Sequence, residues 1–557
     1  MPSLHPRPHP PRRPVRRLAV TAGSAMLAAA VAIVAAGCGS SAGGSSGPAA
    51  GAAGPPVRGG TLEWALAQDP LSLSPWGGGS GNDQLYVTRQ IFDTLTEQDP
   101  ATGKILPFLA SKWTVNSDAT QFTFTVRSGV TFSDGTRLTP RVIADNFDEI
   151  ARVGAAATWV ANDFVGYAGS TVTGPDTLAV KFSRPNAPFP QELSGVGIVG
   201  PNTLKIPYQD WATGQGLVGS GPFALRSYTQ GQSVVLTRRA GYAWGPSDRA
   251  NHGAAYLSGI HFKITPEPSV RTGVLTSRQV EGIDNVQPQD ISTLRDDGFG
   301  ILSKANPGIA FGLSFVQNTP VTRSLPVRQA IADAIDRTAI RNAVLTPDFA
   351  VATSVLSDDT VGYVNLARDL TYDPARAKRL LTAAGWVPGR GGIRVKGGQP
   401  LALTLGWGNN FAPNQNVLQL IQAELKQIGV QVTLQTGDVP QVQAGLKAGR
   451  YNLGWGNLSN SNAAVLRTQL SRFASNYYKL NDPVLEGDFA KEYASPDVSA
   501  QNAYAALAQQ RILQQADVVP VFQLTTVLAT SSRVHGVEFG ADARLAQLTD
   551  AWVTGGA

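Results

Sequence analysis

Cysteine is nearly missing: the 557 residues hold one, Cys38. A disulfide framework or a thiolate metal site is thereby excluded. Histidine is sparse as well. After residue 37 only His252, His261 and His535 remain, and none has a second histidine three or four places on. No histidine-built metal cage is expected, and no cofactor. The formal charge of +6 is a poor guide to partners, because Arg7, Arg12, Arg13, Arg16 and Arg17 supply five of the six. Beyond residue 37 the balance is +1, so no nucleic acid partner is expected. From residue 60 onward there is no G-x-S-x-G, S-x-x-K, H-E-x-x-H or Walker motif, and so no familiar catalytic constellation.

Residues 1–37 hold those arginines and no acid, and an apolar run from Leu18 to Ala36 ends in Ala35-Ala36-Gly37-Cys38. This order describes a signal peptide. The run is also just long enough to span a bilayer as a plain anchor. The lone cysteine after small residues looks like a bacterial lipobox, with Cys38 acylated and tied to the outer face of the cytoplasmic membrane. Residues 38–59 are rich in Gly, Ala, Ser and Pro and read as a flexible tether. The arginine pairs make no clean twin-arginine motif, which leaves the export route open.

The body is organised around Leu109 to Thr139. Phe122, Phe124 and Val126 alternate with Thr123 and Thr125, the period of a strand with one buried face. Val130 and Phe132 resume that alternation after a turn, and Asp134-Gly135 turns again. Thr139 then stands as N-cap and Pro140 at the first helical position, with Val142, Ile143, Phe147 and Ile150 on one stripe. The run W-x(4)-D, F-T-F-x-V-R-x-G-V-x-F-x-D-G-T, L-T-P resembles the signature of the extracytoplasmic solute-binding proteins of family 5. These are the peptide- and nickel-binding components of ABC importers. V-R-Q-A-I-x-x-A-I-D-R from Val327, and Tyr372-Asp373-Pro374 through Gly385-Trp386, are similar to the family too.

The resemblance implies an α/β, two-lobed type II (cluster C) periplasmic-binding-protein fold with mixed sheets, an extra subdomain and a hinge. Residues 60–104, 219–303 and 525–557 would form the first lobe, 105–218 its extra subdomain, and 304–524 the second lobe. It implies a non-enzymatic monomer that captures a peptide or related polar solute between the lobes. The solute would pass to an ABC permease and ATPase complex. A ligand sensor or chaperone on the same fold is the alternative; an envelope enzyme has little support. Two G-x-G-x-x-G runs, Gly195–Gly200 and Gly214–Gly219, follow no strand and meet helix-hostile sequence, so a nucleotide site is not expected.

Other elements follow from periodicity. Helices are expected from Tyr86 to Phe92 and, as one piece, from Ser324 to Ile340. Leu401 to Leu405, a helix ending at Gly429, and Val430 to Leu434 read as a βαβ unit. A third strand is expected to start at Tyr451. Ligands of open α/β sheets sit beyond the carboxyl ends of strands. The tetrapeptides Gly406-Trp407-Gly408-Asn409 and Gly454-Trp455-Gly456-Asn457 are expected at two such ends. Trp407 and Trp455 would offer stacking faces; Asn409, Asn410, Asn457 and Asn460 would offer neutral donors and acceptors. The competing reading is two packed indoles flanked by space-saving glycines. Tyr86 is assigned to the cleft by the resemblance. Peptide binders of the family hold the ligand's ammonium with an Asp in the loop after the third strand. Here residues 457–464 contain no acid. An ammonium buried without a carboxylate costs several kcal/mol, about a thousandfold in affinity. Either another acid serves, or the ligand is a blocked peptide, a sugar-like compound or another neutral polar solute.

Overall fold

The computed structural model describes residues 54–555; the expected leader, Cys38 and the tether as far as residue 53 lie outside the described residues. Thr61–Leu66 is the central strand of a seven-stranded sheet. It lies parallel to Gly259–Ile264 on one side and Gly282–Ile283 on the other. Antiparallel partners extend the sheet, Ser233–Arg238 and Phe223–Thr229 at one end, Thr525–Thr530 and Gly300–Ala305 at the other. A second, five-stranded sheet has the order Gln431–Gly437, Ala402–Gly408, Leu453–Ser459, Gly308–Phe315, Val518–Phe522. Its first three strands are parallel and its last two run antiparallel to their neighbours. The Asn414–Gln427 helix makes the crossover between the first two parallel strands in chain order.

The chain passes from the first sheet to the second at Asn306-Pro307 and returns at Gln523-Leu524. The Asn306 N–H donates to the Leu524 carbonyl at 2.7 Å, so the crossings lie side by side. Thr526 Oγ1 donates to the buried Asn306 Oδ1 at 2.8 Å. Among the described residues the chain makes no further crossing between the two sheets, which makes this pair the natural hinge of a two-lobed molecule.

A separate four-stranded antiparallel sheet is built by Ala110–Val115, Gln121–Val126, Thr177–Phe182 and Tyr167–Val172. The alternation in Gln121–Val126 sends Phe122, Phe124 and Val126 inward. Phe122 and Phe124 meet Phe189 at 5.3 and 6.2 Å, and Phe147 of the Pro140–Val153 helix reaches Phe189 at 5.8 Å. Burial of each such ring is worth roughly 1.5–3 kcal/mol, which ties this helix to the sheet. Thr139 Oγ1 accepts from the Val142 N–H, as the N-cap reading requires.

Three local expectations change. Val130 and Phe132 are buried but form no strand; a single bridge between Thr131 and Arg137 closes a tight turn. The helix expected from Tyr86 starts at Asn82. The helix expected over Ser324–Ile340 is two, Leu325–Asp333 and Arg337–Val344. Asp336 breaks it, because its carboxylate accepts from the Ala339 N–H at 2.9 Å and so caps a new start. Neither glycine run leads into an α-helix. Gly214 takes a left-handed φ of 76°, and a Cβ on Gly219 would stand 2.0 Å from the Ile91 carbonyl oxygen. Gly219 thus permits close backbone approach to the end of the Asn82–Ile91 helix.

Candidate functional site at the carboxyl edge of the second sheet

The two repeated tetrapeptides stand in parallel register, Trp407 opposite Trp455. Except for Asn409, they stand not beyond the strands, as the sequence suggests, but inside them, within Ala402–Gly408 and Leu453–Ser459. Position decides their fate. Trp407 is 9% exposed and Trp455 5%, both in the core shared with Leu418, Ile421 and Leu425 of the crossover helix. The Trp455 Nε1–H donates to Asn414 Oδ1 at 2.8 Å, and Phe311 stacks on the indole at 5.6 Å. On the opposite sheet face a Cβ at Gly406 would meet the Tyr451 ring at 2.5 Å, and one at Gly454 would meet Leu446 and Tyr478 at 3.1 Å. The indoles are thus packed residues and the glycines clear room for neighbouring side chains. The open stacking faces expected for Trp407 and Trp455 are absent from this structure.

Tyr86 is also corrected. It is 1% exposed in the core of the first lobe, and burial and the Asp284 and Asp83 carboxylates push its hydroxyl well above its ordinary pKa. The residue lies one turn into a helix whose first turn carries Asp83.

The asparagines behave differently. Asn409 and Asn410 follow the end of Ala402–Gly408 and are exposed. Asn457 and Asn460 are half-buried where the neighbouring parallel strand ends. The parallel register ends at Trp407 and Trp455, two residues before Asn409 and Asn457. The fold therefore brings all four to one carboxyl edge, where open α/β sheets bind ligands. Asn457 Nδ2 leans on Ser459 Oγ at 3.4 Å. Behind this edge Phe411, Phe311 and Phe522 stack at 5.6 and 5.1 Å and form a rigid apolar floor.

Two residues escaped the sequence reading. Asn462 is buried, and its Nδ2 donates to Glu192 Oε1 at 2.7 Å. Asn460 Nδ2 reaches Glu192 Oε2 at 3.5 Å. Glu192 ends the Phe189–Glu192 turn of helix, packed against the four-stranded sheet and not part of the second lobe at all. An acid does stand at the loop that lacks one, supplied by the short helix packed on the four-stranded sheet. Local periodicity carries no signal for it, since 270 positions separate Glu192 from Asn462. Burial raises the Glu192 carboxyl, and the Asn462 and Asn460 amides partly restore it. Among the described residues no group of three or more His, Cys, Asp or Glu side chains is arranged to hold a metal ion. No described helix is long and apolar enough to cross a membrane.

What this edge can do chemically is offer amides and one acid to a polar guest against an apolar floor, between two bodies joined by two strands of chain. The chain is 24% identical over 502 residues to the nickel-binding periplasmic protein of Escherichia coli, covering 85% of this chain and 93% of that one. It is 27% identical over 461 residues to the dipeptide-binding protein of the same organism, covering 76% and 82%. Among solved structures, NikA from Brucella suis in complex with Fe(III)-EDTA superposes with a TM-score of 0.76 at 21% identity, covering 89% of this chain and all of that one. The oligopeptide-binding protein AppA from Bacillus subtilis, in complex with a nonapeptide, gives 0.74 at 18% identity over 90% of this chain. The family model for bacterial extracellular solute-binding proteins, family 5, matches residues 104–477. Two-lobed α/β architecture, a polar carboxyl edge facing the other lobe and a family match over most of the chain meet in one conclusion: this protein belongs to the family 5 extracellular solute-binding proteins, the substrate-binding components of ABC importers.

Proposed function

We propose that the solute is a peptide or a related polar molecule bound between the lobes at the edge formed by Asn409, Asn410, Asn457 and Asn460. It is then released to a membrane permease and its ATPase. The observation that supports this reading is that Asn460 and Asn462, in the loop after a parallel strand of the second sheet, reach Glu192 of the other lobe. A donor set of amides suits peptide groups and hydroxyls. A dipeptide-binding relative and a nonapeptide-bound structural neighbour support peptides. The nickel-binding relative points elsewhere, but the described residues offer no three-ligand acidic or histidine group to a bare ion.

The protein acts as a monomer held at the outer face of the cytoplasmic membrane by acylated Cys38, and it changes no bonds in its guest. Native mass spectrometry of protein purified from its host tests the ligand class by weighing any co-purified solute. Matched free-amino and N-acetylated peptides, titrated by intrinsic tryptophan fluorescence, then separate an ammonium-dependent site from a neutral one. Chemical conversion of a bound compound by purified protein would overturn the binding-only reading. Failure of mature protein to partition into detergent, or of Cys38→Ser to release it, would overturn the anchor.

A further inference from the structure

The contact between Glu192 and the Asn460–Asn462 loop does not stand alone. Five residues before Glu192, the Ala187 N–H donates to the carbonyl of Tyr493 at 2.9 Å, a further hydrogen bond between the subdomain and the second lobe. Tyr493 belongs to the Pro483–Ala494 helix, and Arg467 lies over its ring at 3.9 Å. Beside Tyr493 stands Glu492, 3% exposed, whose Oε2 has no hydrogen-bond partner. The charged and titratable groups facing this seam are Asp163, Glu192 and Arg184 from the first lobe, and Glu492, Tyr493 and Arg467 from the second. Three carboxyl groups thus meet two guanidinium groups, and Arg467 is spent on the aromatic face rather than in an ion pair. A buried carboxylate with an unpaired oxygen is costly, and such a group answers by taking a proton.

We propose that Glu192 is a positioning residue for solute capture, holding the Asn460–Asn462 loop from across the cleft, and that Glu492 beneath it makes this hold, and so lobe closure, depend on uptake of a proton. The inference rests on the capture-by-closure reading given above. Burial first, opposed by Arg467 and reinforced by Glu192, raises the Glu492 carboxyl to about 8 in the closed form. Separation of the lobes removes Glu192 and admits water, returning the group toward its ordinary value near 4.3. A group raised on closing leaves closure unpenalised below its open-state pKa, and the closed form loses ground as pH rises toward the raised value. One proton per closure is a tenfold loss of closed over open per pH unit within that window. Asp163 is shifted upward by burial and then by Glu192 of its own lobe, a coupling that separation of the lobes leaves in place.

The test uses the full chain with Cys38→Ser, leaving no other cysteine. Dyes go on Val172→Cys in the subdomain and Val498→Cys in the second lobe, both exposed positions. Energy transfer between them is read from pH 5 to 9. The expected result is a closed-to-open ratio falling about tenfold per unit between about pH 6 and 8 in the parent. Glu492→Gln flattens the profile, and Glu192→Ala lowers the closed fraction at every pH while thermal unfolding shows an intact fold. A parent that closes without pH dependence, or a Glu492→Gln variant with the parent's slope, overturns the inference while leaving solute capture intact. A protein that never closes, at any pH or with any free-amino or N-acetylated peptide, overturns the capture reading and the inference with it.

Discussion

At the scale of single residues, hydrogen-bond satisfaction separates packing from recognition. Trp455 has its N–H on buried Asn414 and a phenyl ring on its face, so little of it is left for a guest. Trp455→Phe is expected to destabilise the fold by about 1–3 kcal/mol, because Asn414 Oδ1 is left buried without that donor. Solute affinity should change little. Denaturant unfolding read beside a binding isotherm separates the two; a large affinity loss with unchanged stability would return the indole to the cleft. Asn457 is the opposite case. It is half-buried and engaged only with Ser459 at 3.4 Å, so Asn457→Ala should weaken solute binding several-fold with near-unchanged stability. The identities of these residues were legible in the sequence. Their exposures were not, because a strand end read from alternation is uncertain by a few residues, and those few residues decide which side of the edge an indole occupies.

At the scale of elements, capping and backbone approach set the boundaries. The N-caps at Thr139 and Asp373 were readable because the cap residue and the following proline are adjacent in sequence, and Asp373 Oδ1 accepts from the Arg376 N–H at 2.7 Å. Asp336 was missed because the apolar positions on either side of it keep helical spacing. Asp336→Ala is expected to cost about 1 kcal/mol and to loosen the Arg337–Val344 helix, seen as faster amide exchange in its first turn. Gly219→Ala is expected to be worse. Its methyl would lie 2.0 Å from the Ile91 carbonyl, and backbone cannot yield as a side chain can. A loss at or above the upper end of the roughly 1–3 kcal/mol typical of overpacking is expected, read as a lowered unfolding midpoint.

At the scale of the whole molecule, a segment near the end of the chain clasps the Asn82–Ile91 helix. Arg89 pairs with Asp542 at 2.5 Å, and Arg544 lies 3.3 Å from the same carboxylate. Burial alone would raise the Asp542 carboxyl, but Arg89 and Arg544 outweigh it and hold the group well below its ordinary value. A carboxylate lowered on folding stabilises the protein above its unfolded pKa, and that stability is lost as pH falls through the lowered value. Asp542→Asn should therefore cost on the order of 2–4 kcal/mol near neutral pH, between the limits for surface and buried pairs. The difference should vanish in strong acid, as pH-resolved unfolding would record. The same scale governs the seam at Glu192, where closure and titration are one equilibrium.

Local pattern was enough for the α/β elements, since period-two strands, capped helices and the parallel βαβ unit all act between near neighbours in the chain, while two lobes and a binding role were implied by the family resemblance that the motif at Leu109 to Thr139 carries. Packing alone settled which side chains meet. It buried Trp407, Trp455 and Tyr86, split one helix at Asp336, and carried Glu192 across 270 positions to the acid-free loop. Periodicity reports which face of an element is apolar, but not what comes to rest against it, because that depends on contacts made only when distant segments fold together.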